Sequence, residues 1–215
     1  MIRRLPVYIL ADCSGSMMGT PIESVKQGIR LLHNELLGDP SAVESAYLSV
    51  ITFDSSARQA VPLTELALFN PPELAASGTT ALGEALKVLI DCLHNEVHKT
   101  SPEQKGDWKP LVFLLTDGVP TDSWEAQADQ LKQHKPSPAN IIAVACGDSA
   151  DTNVLKRITN VVLVMKDMGP DAFKQFFKWV SASIAQTSEK CGATPDAVAG
   201  GVTLPPPPPQ ITIIP

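Results

Sequence analysis

The sequence has few aromatics, no long apolar run and no clustered cysteine. Aromatic residues make up 5% of the 215 positions, too few for a base-stacking surface that grips single-stranded nucleic acid. Basic side chains are outnumbered, with Lys+Arg at 17 against Asp+Glu at 23 and a net charge of −6. An acidic chain without a basic stripe argues against nucleic acid as the main partner. No run of about 18 apolar residues is present to enter a membrane. The cysteines Cys13, Cys92, Cys146 and Cys191 stand singly, without the C-x-x-C spacing of a zinc knuckle or a thioredoxin motif. Scattered single cysteines suit a reducing compartment, so a cytoplasmic location is expected. The basic start, Met1 to Arg4, and the apolar stretch to Ala11 are too short for a secretory leader, and Asp12 spoils a lipoprotein box at Cys13. Residues 15–20 contain no lysine, which excludes a P-loop.

Apolar residues nevertheless reach 44%, and the mean hydropathy is +0.05. A chain of this length buries roughly 70% of its unfolded surface and needs no staple to fold. Apolar runs of strand length alternate with helical periodicity. Residues 6–11 read as a strand. Thr20-Pro21-Ile22-Glu23 has the form of a capping box, followed by Ile22, Val25, Ile29, Leu32 and Leu36 on one helix face and Gly38 as the stop. Residues 47–53 and 58–63 flank the turn Asp54-Ser55-Ser56 and predict a hairpin. Gly78-Thr79-Thr80 opens a long helix carrying Leu82, Leu86, Leu89, Leu93 and Val97. Residues 111–115 are apolar on both faces, the mark of a central parallel strand. Further strands are expected at 141–146 and 161–165, with helices around 124–131, 153–158 and 173–184.

This alternation predicts a doubly wound α/β fold. The expected sheet has six strands, five parallel and one antiparallel at the edge, with helices on both faces. Residues 1–190 form the expected domain. Residues 191–215 form a Gly/Pro-rich tail in which Pro205 to Pro209 is a polyproline II segment, followed by a possible short strand at 211–214. Docking of this tail on its own domain is favoured over addition to another chain.

In such sheets ligands bind beyond the carboxyl ends of the strands, where strand order reverses. Asp12 follows the first strand and Asp117 follows the most apolar one. Ser14 and Ser16 lie at every second residue after Asp12, so an extended loop aims all three side chains one way. Thr79 and Thr80 add hydroxyls at the opening of the long helix. Two carboxylates with neutral hydroxyls make an all-oxygen site for a hard divalent cation: Mg²⁺ first, then Ca²⁺ or Mn²⁺. An ion held this way keeps an electrophilic open position that a carboxylate from another molecule fills.

Asp12-x-Ser14-x-Ser16, then Gly78-Thr79-Thr80-Ala81-Leu82-Gly83, then Thr116-Asp117-Gly118 resembles the three loops of the von Willebrand factor A domain. The resemblance spans about residues 5–185. It implies a metal-ion-dependent adhesion site formed by Asp12, Ser14, Ser16, Thr80 and Asp117. It also implies a non-catalytic module whose protein partner supplies an acidic residue to the metal. Thr79 stands where family members carry a second glycine, which leaves Thr79 and Thr80 as alternatives; the spacing to Gly83 favours Thr80. Within the family, the small size and proline tail are similar to the TerY-type bacterial tellurite-resistance proteins. That similarity implies a stress-response complex with a partner kinase and phosphatase.

The enzyme alternative is a Mg²⁺-dependent phosphohydrolase of the haloacid dehalogenase type, with Asp12 as nucleophile. That chemistry needs a second Asp two residues on, as general acid, and this chain has Ser14 there. Cys13 is a poor nucleophile, since the neighbouring carboxylate raises its pKa. His94 and His98 are spaced as H-x-E-x-H, which fits no zinc-protease motif and reads as a solvated helix face. Trp124 reads as packing rather than as a rim of the site.

Overall fold

Alternation along the central strands sorts side chains into two layers. The computed structural model describes residues 3–102, 105–134, 136–193 and 204–214. In β1 (Leu5–Asp12), Leu5, Val7, Ile9 and Ala11 enter one core, while Tyr8 and Leu10 enter the other. The same two-residue period runs through β4 (Leu111–Thr116), where Phe113 and Leu115 face one way and Val112 and Leu114 the other. A strand buried on both faces has to be apolar throughout, and every residue of β1 and β4 is buried.

The remaining strands are β2 (Ala46–Phe53), β3 (Ala57–Glu65), β5 (Asn140–Cys146), β6 (Val161–Met165) and β7 (Ile211–Ile214). Their spatial order is β3-β2-β1-β4-β5-β6-β7. Strands β1, β2, β4, β5 and β6 run parallel, and β3 pairs antiparallel with β2 as the predicted hairpin. Here the structure departs from the six-stranded expectation. The seventh strand, β7, pairs antiparallel with β6, from Met165↔Ile211 to Val162↔Ile214. Both edges are therefore antiparallel. Ile211 is 4% exposed, and the Trp179 indole donates to the Pro205 carbonyl at 2.9 Å. Residues 194–203, most of the expected linker, lie outside the described residues.

Helices α1 (Thr20–Leu37), α2 (Pro40–Ser45) and α6 (Pro170–Ala193) cover one face. Helices α3 (Leu82–Glu96), α4 (Glu125–Gln133) and α5 (Thr152–Ile158) cover the other. Close approach of α1 to α6 depends on Gly28, where a Cβ would lie 1.9 Å from the Phe177 ring. The capping-box expectation at Thr20 is corrected. Gly19, at φ 81°, is the N-cap, Thr20 is already helical, and no side chain caps the end. Helix α2 starts on a local signal: Asp39 accepts from the Ala42 amide at 2.8 Å ahead of Pro40.

Chain order places the switch point between β1 and β4. From β1 the chain winds outward through β2 and β3; from β4 it winds the other way through β5 and β6. The carboxyl ends of β1 and β4 therefore bring Asp12 and Thr116-Asp117 side by side, since Ala11 pairs with Leu115.

Candidate metal centre

Asp12 is the last residue of β1, not the first of a loop, and it is fully buried. Its Oδ1 accepts from the Ser14 amide at 2.8 Å, and its Oδ2 accepts from the Thr116 hydroxyl at 2.6 Å. The loop beyond it is not extended as expected. Ser14 is extended, at φ −66° and ψ 166°, and Gly15–Met17 then forms a single 3-10 turn. The turn still gathers the hydroxyls: Ser14 Oγ and Ser16 Oγ are 3.1 Å apart. The Ser16 hydroxyl donates to Asp117 Oδ1 at 2.7 Å. The first and third loops thus meet at Ser16.

The second loop places the two threonines differently. Thr80 is 5% exposed. Its Oγ1 lies 3.0 Å from where a Cβ on Gly118 would stand, so the hydroxyl packs against the residue that follows Asp117. Thr79 is exposed and turned away, with its hydroxyl 3.3 Å from the Ser55 hydroxyl. Asp12, Ser14, Ser16, Thr80 and Asp117 are therefore gathered at one place, and Thr79 is not.

Backbone contacts fix the three loops to one another. The Gly15 amide donates to the Gly78 carbonyl at 3.1 Å, and the Ser77 amide donates to Cys13 at 2.8 Å. The Thr80 amide donates to Thr121 Oγ1 at 3.1 Å, while the Thr121 amide returns to the Thr80 carbonyl at 2.9 Å. Asp122 accepts from the amides of Gly83 and Glu84, both at 2.9 Å, and so closes the start of α3. Sequence reasoning assigned no role to Thr116, Thr121 or Asp122. The last two act across about forty positions, and no local pattern announces them.

Burial pushes the Asp12 carboxyl above the usual carboxylate range, against the pull of its hydrogen bonds, and the Asp117 charge adds to the rise. Burial raises Asp117 as well. Neither carboxylate has a Lys, Arg or His ion-pair partner among the described residues. Nor is there, among those residues, a cluster of three or more His, Cys, Asp or Glu suited to a metal, so a soft or carboxylate-rich centre is not present there. Two desolvated carboxylates and three neutral hydroxyls fit a hard divalent ion. The Cys13 thiol is pushed up to about 12 by burial first and by Asp12 second, which disfavours the thiolate. Trp124 packs against the α3–α5 core with the Arg157 guanidinium 5.5 Å from its ring centre. His98 lies beyond the end of α3, so the two histidines share no helix face.

The sequence profile of the von Willebrand factor type A domain matches residues 7–178. The chain belongs to this family. Von Willebrand factor A domains are generally interaction modules rather than enzymes, commonly metal-dependent through their adhesion site. Solved structures share the fold. The von Willebrand factor type A protein of Catenulispora acidiphila aligns at a TM-score of 0.63 and 20% identity, over 86% of this chain and 43% of that one. Proximal thread matrix protein 1 of the mussel byssus, solved with a zinc-occupied adhesion-site motif, aligns at 0.59 and 19%, over 86% of this chain and 48% of its own. Among curated relatives, the uncharacterised Synechocystis protein sll0103 is 35% identical over 123 residues, 54% of this chain. That match spans 26% of the Synechocystis protein's own length. Among the described residues, no helix of this von Willebrand factor A domain is long and apolar enough to cross a membrane.

Proposed function

We propose that this chain is a non-catalytic, metal-dependent protein interaction module. The hydroxyls of Ser14, Ser16 and Thr80 would contact a divalent cation directly, and Asp12 and Asp117 would hold it directly or through water. Mg²⁺ is the natural occupant of such oxygen ligands at cellular concentrations, with Mn²⁺ and Ca²⁺ as alternatives. The bound ion supplies an electrophilic position. The partner supplies an acidic side chain to it, and the surrounding loops orient that carboxylate. One observation carries the reading: two buried carboxylates without a cationic partner, joined to converging serine hydroxyls. The zinc-occupied motif of the mussel protein supports divalent metal at such a motif in that relative. The phosphohydrolase alternative gains no support, since Ser14 stands where the general acid belongs and donates its amide to Asp12.

We place the module in a bacterial tellurite or stress-response complex, with a kinase or phosphatase of that system as the partner. This placement rests on the resemblance in size and proline tail. The cytoplasm suits the buried free thiols of Cys13, Cys92 and Cys146. Immobilised protein, offered lysate in Mg²⁺ and again in chelator, tests the interaction. Partners retained with Mg²⁺ and lost with chelator, and lost also from Asp12→Asn, are the expected result. A partner set identical in all three arms contradicts metal-dependent capture.

A further inference from the structure

The end of the sheet opposite Asp12 and Asp117 carries a second concavity. A cleft of about 710 Å³ opens between the C-terminal part of α3, the C-terminal part of α4 and the segment entering β4. Its apolar wall includes Ile90, Leu93, Val97 and Leu131. An adjoining hollow of about 280 Å³ lies at the starts of β5 and β6 and shares Lys109, Leu131 and Ser137 with it. The larger volume falls within the roughly 300–1,000 Å³ range of small-molecule sites.

The unmatched polar groups here are donors. Trp108 lines the cleft and is 4% exposed, and its indole N–H has no acceptor. Asn140 lines the adjoining hollow, and its buried side-chain NH₂ has none either. These are two of the four buried side-chain nitrogen or oxygen atoms without a partner among the described residues. Lys109 sits between them. It follows Trp108 in the chain, and the Asn140 amide donates to the next carbonyl, that of Pro110, at 2.8 Å. Neither Lys109 nor Lys99, also in the wall, has an ion-pair partner among the described residues. Burial holds the Lys109 ammonium below the usual lysine range. The wall's one carboxylate, Asp107, is already engaged by Arg4 at 2.6 Å. Arg3 lies 3.9 Å above the Trp108 ring and donates to the backbone carbonyls of Gly106 and Asp107.

Buried donors are almost always matched in folded proteins, and buried cations are paired. In a chain of net charge −6, the unmatched donors of Trp108 and Asn140 beside the half-buried Lys109, which has no ion-pair partner among the described residues, call for an acceptor from outside. The apolar wall calls for hydrocarbon beside it. We propose that this cleft binds an amphipathic oxyanion, a carboxylate or phosphate head on a hydrocarbon body, with the head at Lys109 and the body along Leu93, Val97 and Leu131. This site is separate from the candidate metal centre and does not depend on the reading given to it.

Calorimetric titration of the full chain with octanoate, octyl phosphate and octanol tests the site. At least one of the two anions binds, and the neutral alcohol binds about tenfold more weakly or not at all. The octanoate and octyl phosphate arms tell carboxylate from phosphate. Lys109→Met, which keeps the apolar stem, weakens the anion about tenfold and leaves octanol unchanged. Val97→Trp, which fills the cleft, removes all binding while circular dichroism and Mn²⁺ affinity stay as in the parent. Equal binding of octanol and the anions, an unaffected Lys109→Met, or no binding of any probe at millimolar concentration overturns the proposal.

Discussion

Thr116 donates its hydroxyl to Asp12 Oδ2 at 2.6 Å and also lies 3.4 Å from the Gly118 amide. It orients the carboxylate most deeply buried in the centre. Groups that orient metal ligands typically change affinity about 10- to 100-fold when removed. Thr116→Val keeps the shape and β-branching of the side chain and removes the donor. We expect a Mn²⁺ affinity lower by about 10- to 100-fold, read by calorimetry, with an unchanged circular dichroism spectrum; undiminished affinity would show that the Asp12 orientation does not matter. At this scale the sequence was legible where spacing is local. Asp12, Ser14 and Ser16 announce themselves by position after a strand, and Asp117 by the same rule. The spacing to Gly83 already favoured Thr80 over Thr79, and the fold adds the physical reason, since Ser55 lies beside Thr79 and Gly118 packs against Thr80. Thr121 and Asp122 were not legible, since the groups they satisfy lie on the second loop.

At the scale of elements, the tail shows what periodicity misses. The apolar character of residues 211–214 announced a strand, but its neighbour was set by which sheet edge lay within reach. That edge is β6, and it turned a six-stranded expectation into seven. Helix α1 shows the opposite case. The capping-box pattern at Thr20 was present, but the chain leaves the turn at Gly15–Met17 through Gly19 at a positive φ, so the helix starts one residue earlier. The parallel strands were legible because burial on both faces demands unbroken apolar runs. Truncation after residue 203 tests the tail. It strips Ile211 from the core and the acceptor from the Trp179 indole. Burying one isoleucine is worth roughly 2 kcal/mol, and about 2–4 °C of Tm accompanies each kcal/mol in a domain of this size. The expected result is a Tm lower by about 4–8 °C with increased binding of a hydrophobic dye. An unchanged Tm together with lost partner capture would make the tail a ligand for another protein.

At the scale of the whole molecule, the topology separates two ends. The carboxyl ends of β1 and β4 gather carboxylates and hydroxyls. The opposite end holds Lys99 and Lys109, without ion-pair partners among the described residues, beside an apolar cleft. The doubly wound order places the first site at the switch point, as α/β sheets do, and this much followed from the order of apolar runs. The opposite cleft did not, because its wall is assembled from α3, α4 and the segment before β4. The central claim is that Asp12 and its four companions hold one divalent ion. Calorimetric titration of Mn²⁺ into the wild-type chain and into Asp12→Asn tests it directly. The amide keeps an acceptor for the Ser14 amide and accommodates Thr116, so both proteins should melt cooperatively. A single site is expected in the wild type and none in Asp12→Asn. Equal Mn²⁺ binding by the two proteins would contradict it.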